Sequence, residues 1–262
     1  MMRSPLVLLL AGAHAYLVTI DNTAMRRTAD GLLMDAHDGN VMQWQPGGRY
    51  YWYGMGYRNC TDTEGWIPPM GCPGIYKPFG TCGFRTDHAV NVYSSADLVS
   101  WVFEGDALPV DGRPLGIYFR PKVVYNARNR EYVLWINLLY EARSGETPLG
   151  AYPNATYVVA TSASAAGPFK VVNPSARLAI KGAGDLTIMV DEDNATAFVA
   201  YGAWSNSHSI VIEQLDANFY NAQLLPTSSP PVLSPSGNEA PVLFKRNGWY
   251  YLIYGSTCCF CK

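Results

Sequence analysis

Short runs in which aromatic or β-branched residues alternate with polar ones dominate the chain, and Gly, Asn, Pro and Asp separate them. Stretches with a helical period and helix caps are almost absent, so the pattern predicts strands. One arrangement recurs four times, a turn residue followed by an aromatic strand. It is seen at Gly48–Tyr53, Arg130–Trp135, Asn194–Tyr201 and Asn247–Tyr254. Each copy follows another apolar strand: Val41-Met42, Lys122–Tyr125, Leu186–Val190 and Pro241–Phe244. Each pair reads as the inner hairpin of a unit.

Outer strands recur as well. Val90–Ser95 runs into Asp97–Phe103, Tyr157–Ser162 into Gly167–Val172, and Ser209–Glu213 into Asp216–Asn221. Four strands per unit, repeated, predict a β-propeller, an all-β fold of radially arranged antiparallel sheets. The spacings between the matched aromatics Tyr51, Tyr132, Phe198 and Tyr251 are 81, 66 and 53 residues. The first is longest because it holds a Cys-, Pro- and Gly-rich insertion from about Arg58 to Asp87. The fourth unit stops after its second strand, which predicts that the last part of the ring is incomplete in this chain. Ser95-Ala96-Asp97 with Trp101 reads as an outer-strand hairpin turn.

Composition narrows the class. The 262 residues are 48% hydrophobic, enough for a sizeable core, yet only 15% charged, with a formal net charge of -2. That balance excludes an electrostatic nucleic-acid binder and a basic membrane-surface protein. No stretch reaches the roughly 20 apolar residues of a membrane helix. Arg3, the apolar run Pro5–Leu10 and Ala13-His14-Ala15 predict a secretory signal over residues 1–15, followed by one propeller domain over 16–262. Three Asn-x-Thr acceptors, at Asn59, Asn154 and Asn194, and six cysteines agree with a secreted, disulfide-bonded glycoprotein. Six cysteines allow 15 pairings, so connectivity stays open. A zinc site needs paired Cys-x-x-Cys or His spacing, which the sequence lacks, and no cofactor or metal is expected. The protein is expected to act as a monomer.

The innermost strand of each propeller blade lines the central channel, so polar residues at its start face a shared pocket. Asp38, Asp185 and Glu239 stand just before the first strand of units one, three and four. Unit two has Phe119-Arg120-Pro121-Lys122 there, without an acid. Converging carboxylates suit glycoside hydrolysis. A protonated acid donates to the leaving oxygen, a carboxylate activates water on the opposite face, and a third raises the acid's pKa by like-charge repulsion. His37 is placed to orient substrate or carboxylates. Trp52, Tyr53, Tyr118 and Trp204 are candidate stacking platforms for a sugar. No phosphate-binding Gly loop, nucleophile elbow or zinc-helix motif is present.

Several of these segments together carry a resemblance. Ala36-His37-Asp38-Gly39, Tyr50–Gly54, Val92–Trp101, Arg120–Asn126, Asp185-Leu186-Thr187 and Glu239–Lys245 resemble, in that order, glycoside hydrolase family 43. Within that family the similarity is strongest to the exo-β-1,3-galactanase-like branch. The resemblance implies a five-bladed propeller that cleaves a galactan-, arabinan- or xylan-type polysaccharide with inversion. It implies Glu239 as general acid, Asp185 as the residue that tunes and orients it, and Asp38 at the general-base position. Two positions depart from the branch, which usually has glycine where Asp38 stands and glutamate where Phe119 stands. A catalytically degenerate propeller that only binds carbohydrate is the second reading of the same residues.

Overall fold

The computed structural model describes residues 18–21, 23–56, 86–139, 154–223 and 232–257. The signal segment, the six cysteines, Asn59 and nearly all of the Cys-rich insertion lie outside the described residues.

Three sheets of four antiparallel strands and one two-stranded sheet follow one another along the chain. The first blade is β1 (His37–Gln43), β2 (Tyr50–Gly56), β3 (Ala89–Ser95) and β4 (Trp101–Asp106). The second is β5 (Ile117–Asn126), β6 (Glu131–Leu139), β7 (Thr156–Ser162) and β8 (Lys170–Asn173). The third is β9 (Ala183–Val190), β10 (Ala197–Ala203), β11 (Ser209–Gln214) and β12 (Val232–Leu233). The hairpin of β13 (Asn238–Arg246) and β14 (Trp249–Ser256) completes the described strands. Among the described residues the named helical elements are the three-residue turns Val110–Gly112 and Trp204–Asn206. No helix among them is long and apolar enough to cross a membrane.

Turn chemistry sets the hairpins. Arg246 pairs with Trp249 across Asn247 and Gly248, both at positive φ (53° and 79°). That geometry is the two-residue turn whose twist matches the flanking strands. In the first blade, Ser95 Oγ accepts the amides of Asp97 and Leu98, and Asp97 accepts those of Val99 and Ser100. The turn delivers Trp101 into β4 as the expected outer hairpin. One outer strand differs from expectation. Residues 216–221 form a turn, because Asp216 accepts the amides of Asn218 and Tyr220 at 3.1 and 3.0 Å and Phe219 takes a φ of 63°. The fourth strand of the third blade is Val232–Leu233 instead, paired with β11.

The second blade is buried on both faces. In β6, Val133 and Trp135 face the third blade with Leu186, Val199 and Tyr201, whereas Leu134, Ile136 and Leu138 face the first with Tyr53, Val90 and Val92. Strand β7 divides in the same way, Tyr157 and Val159 to one side, Val158 and Ala160 to the other. The period of two thus explains a continuous apolar run: each face has its own neighbouring sheet. Inner strands contact in the order β1–β5–β9–β13, so their starts converge at one end of the molecule.

Candidate active site

Each inner strand carries one extra residue near its start. His37 pairs with Met55 and Asn40 with Tyr53; Phe119 pairs with Asn137 and Lys122 with Trp135. The same slip separates Ala183 from Leu186 and Glu239 from Val242. Such a bulge bends the strand and re-aims its side chains. Asp38, Arg120 and Ala240, the first extra residues in three of the bulges, share a φ of 55–58°. Gly39 is imposed by contact: a Cβ there would lie 1.4 Å from the Tyr53 carbonyl oxygen.

These bulges place the three acids at the starts of neighbouring inner strands. Asp38 bonds His37 Nδ1 at 3.0 Å. Arg120 forms an ion pair through Nε with Asp185 Oδ1, and both side chains are largely covered. The other Asp185 oxygen accepts the Ala240 amide at 3.1 Å, next to the half-buried Glu239. Lys122 donates to the carbonyls of Asp38 and Gly39 at 3.1 and 2.7 Å. Asn40 clamps Val123 on both sides, Nδ2 to its carbonyl and Oδ1 to its amide, each at 3.2 Å.

Charge follows geometry. Burial pushes the Asp38 carboxyl up, but the His37 hydrogen bond and the charges of Arg120, His37 and Lys122 outweigh it and hold it below the ordinary aspartate range. Burial pulls Lys122 down to about 8, against the opposing charges of Asp38 and Asp185 and with the help of Arg120. The cluster offers an ionised carboxylate at Asp38 and a second acid, Asp185, neutralised by a guanidinium. Among the described residues no group of three His, Cys, Asp or Glu stands where it could hold a metal ion.

The aromatic candidates separate. Trp204 is half-buried beside Phe119, with its indole against the backbone of Gly184. His208 lies 4.2 Å from it, centroid to centroid. Tyr53 and Tyr118 are fully buried between blades one and two, and cannot be sugar platforms. Tyr53 donates to the Ala165 carbonyl at 2.7 Å, and Tyr118 donates to the Pro114 carbonyl under the Arg113 guanidinium. Trp52 packs edge-on against Trp101 of the outermost strand, with Arg26 over its ring. Phe119 is closed into an apolar cluster with Ile117, Leu139 and Ala155. Arg120, Lys122 and Asn40 join the site in the structure without a motif that marks them. Arg120 and Lys122 flank a proline in a strand that is otherwise almost continuously apolar, and two charges inside such a run are the signal that could have found them.

The family description "Glycosyl hydrolases family 43" matches residues 79–260, and the chain belongs to that family. Its five-bladed propeller is the fold to which the described blades conform. The exo-β-1,3-galactanase of Phanerochaete chrysosporium, crystallised with galactose, is 27% identical, with a TM-score of 0.68 over 91% of this chain and 48% of that one. A variant of that enzyme with β-1,3-galactotriose gives 27% and 0.67 over 90% and 47%. An exo-β-1,3-galactanase from Clostridium thermocellum gives 25% and 0.66 over 91% and 46%. The chain therefore spans about half the length of these solved structures. None of the curated protein sequences matches it.

Proposed function

We propose that the protein is a glycoside hydrolase acting on a galactan-type polysaccharide with inversion at the anomeric carbon. The observation that carries this reading is Asp185, bound both to Arg120 and to the Ala240 amide that follows Glu239, with Asp38 of another blade held ionised in part by the charge of the same Arg120. In this reading Glu239 protonates the leaving oxygen. Asp38, ionised at neutral pH, takes the proton of the attacking water. Asp185 orients Glu239 through the Ala240 amide of the neighbouring bulge, and Trp204 stacks on the sugar. The neighbours crystallised with galactose and galactotriose support the substrate class. The sequence features at residues 1–15 and the exposed acceptors Asn154 and Asn194 support export as a glycoprotein.

Incubating the chain with β-1,3-galactotriose should release galactose. Glu239→Gln should lower that turnover by roughly 10²–10⁴-fold. The same variant should lose much less on an activated aryl galactoside, whose leaving group needs little protonation. Asp38→Asn should impair both substrates, since water activation is needed whatever leaves. Parental rates in Glu239→Gln would remove the acid assignment. Binding of galactotriose without turnover would favour the carbohydrate-binding reading, for which the closed apolar cluster around Phe119 also argues.

A further inference from the structure

Asp185 sits in a bulge, where the ladder of its own sheet is interrupted and backbone groups need partners from elsewhere. Those partners come from the second blade. Asn137 Nδ2 donates to the Ala183 carbonyl at 2.7 Å, and the Tyr157 hydroxyl donates to the Gly184 carbonyl at 2.8 Å. Both side chains are fully buried and neither lies on the channel surface. The Tyr157 ring is wedged between Trp135 at 5.7 Å and Tyr201 at 6.1 Å, which fixes where its hydroxyl reaches. Burial, reinforced by the charge of Asp185, keeps that hydroxyl protonated and therefore a donor. On the far side of the bulge, Asp185 holds the Ala240 amide beside Glu239. Carbonyl, bulge, carboxylate and the next bulge form one chain of contacts that begins at Tyr157.

We propose that Tyr157 is a positioning residue: by holding the Gly184 carbonyl it sets Asp185, and through the Ala240 amide it sets the strand start that carries Glu239. The kinetic side of this inference rests on the proposed function; the geometric side does not. Tyr157→Phe keeps the wedged ring and removes only the donor. Tyr201→Phe is the matched control, a neighbouring buried ring whose hydroxyl donates to Glu213 at 2.6 Å and accepts the Ile180 amide at 3.3 Å, away from Asp38, Asp185 and Glu239. Both variants remove a buried hydrogen bond and should lower the melting temperature. Only Tyr157→Phe should lower kcat on β-1,3-galactotriose, by about 10–100-fold with KM changing far less, because small misplacements of reacting groups act on turnover. Asn137→Ala, which releases the adjacent Ala183 carbonyl, should give the same split. Crystal structures of the full chain and of Tyr157→Phe supply the second measurement. The bond between Asp185 and the Ala240 amide should be lost in the variant. Equal kcat in Tyr157→Phe and Tyr201→Phe, or an unmoved Asp185 in the variant crystal, overturns the proposal. If the parent releases no galactose, the proposed function fails, and the crystal comparison alone decides the positioning.

Discussion

Lys122 concentrates the electrostatics of the site in one side chain. Its ammonium donates to two carbonyls, those of Asp38 and Gly39, and feels the charges of the Asp38 and Asp185 carboxylates. Burial dominates and brings it to about 8, below the roughly 10.4 of an exposed lysine. The sign of the linkage follows. Between pH 8 and about 10.4 the unfolded chain binds this proton and the folded one does not, so this group makes stability rise with pH there. Below pH 8 the buried charge costs stability, partly offset by the two carboxylates. With lysines labelled at Cε, carbon NMR should show one resonance titrating near pH 8, and Lys122→Met should delete it. A set of lysines all titrating near the exposed value would refute this placement of the ammonium.

At the scale of the element, the bulge decides both function and stability. Gly39 has no room for a side chain: the added carbon would meet the Tyr53 carbonyl oxygen at 1.4 Å and its carbon at 2.5 Å. Both are backbone atoms of the paired strand, so β1 and β2 must separate. Gly39→Ala is therefore expected to cost about 3 kcal/mol or more, a fall of roughly 6–12 °C in melting temperature for a chain of this size. Gly112→Ala, where an added carbon meets nothing within 4 Å, is the control and should stay near the parent. Equal melting temperatures for the two would show that the bulge can yield. The hairpins, the blade order and the place of Asp38, Asp185 and Glu239 near inner-strand starts were legible in the sequence because alternation, Asn-Gly turns and strand starts are local signals. The facing of the aromatics was not. Alternation tells that Tyr53 and Trp52 point to opposite sides. When both sides of a sheet are covered, it does not tell which one meets the channel. Tyr53 and Tyr118 fill the seam between blades, and Trp52 meets the outer strand. Residues 216–221 misled for a related reason. Phe219 and Tyr220 look like strand residues, but the Asp216 carboxylate captures the local amides and turns the chain. The brace of Tyr157 on Gly184 joins residues 27 positions apart on different blades, a register only the assembled fold supplies.

Across the whole molecule, the contacts that join the β13–β14 hairpin to the third blade differ in kind from those between the earlier blades. Blades one to three meet through broad apolar seams. The hairpin contributes Leu243 and Leu252 to a small cluster with Met189, Ala200 and Ile210, while Val242, Trp249 and Ile253 stay exposed. Besides the Ala240 amide on Asp185, a polar tie is Lys245, which bonds Asp191 at 2.7 Å, with Tyr250 donating to the other Asp191 oxygen. Those two hydrogen bonds, Lys245 first, hold the Asp191 carboxyl down at about 2. A carboxyl whose folded value lies below its unfolded one stabilises fully above about pH 4, and the contribution fades as the pH falls toward 2. The amides of β13 and β14 should therefore lose hydrogen-exchange protection between pH 4 and 2 before those of β6 and β7, which sit between two apolar seams. Lys245→Met removes the main partner of Asp191, so in that variant the hairpin should be less protected at pH 5 and change less on acidification. Hairpin and central strands losing protection together, in parent and variant alike, would mean that this ion pair does not anchor the hairpin. The acid that carries the proposed chemistry, Glu239, stands at the start of β13. Release of the hairpin would then displace Glu239 from Asp185 and Asp38, and loss of turnover on acidification should track the loss of protection in β13.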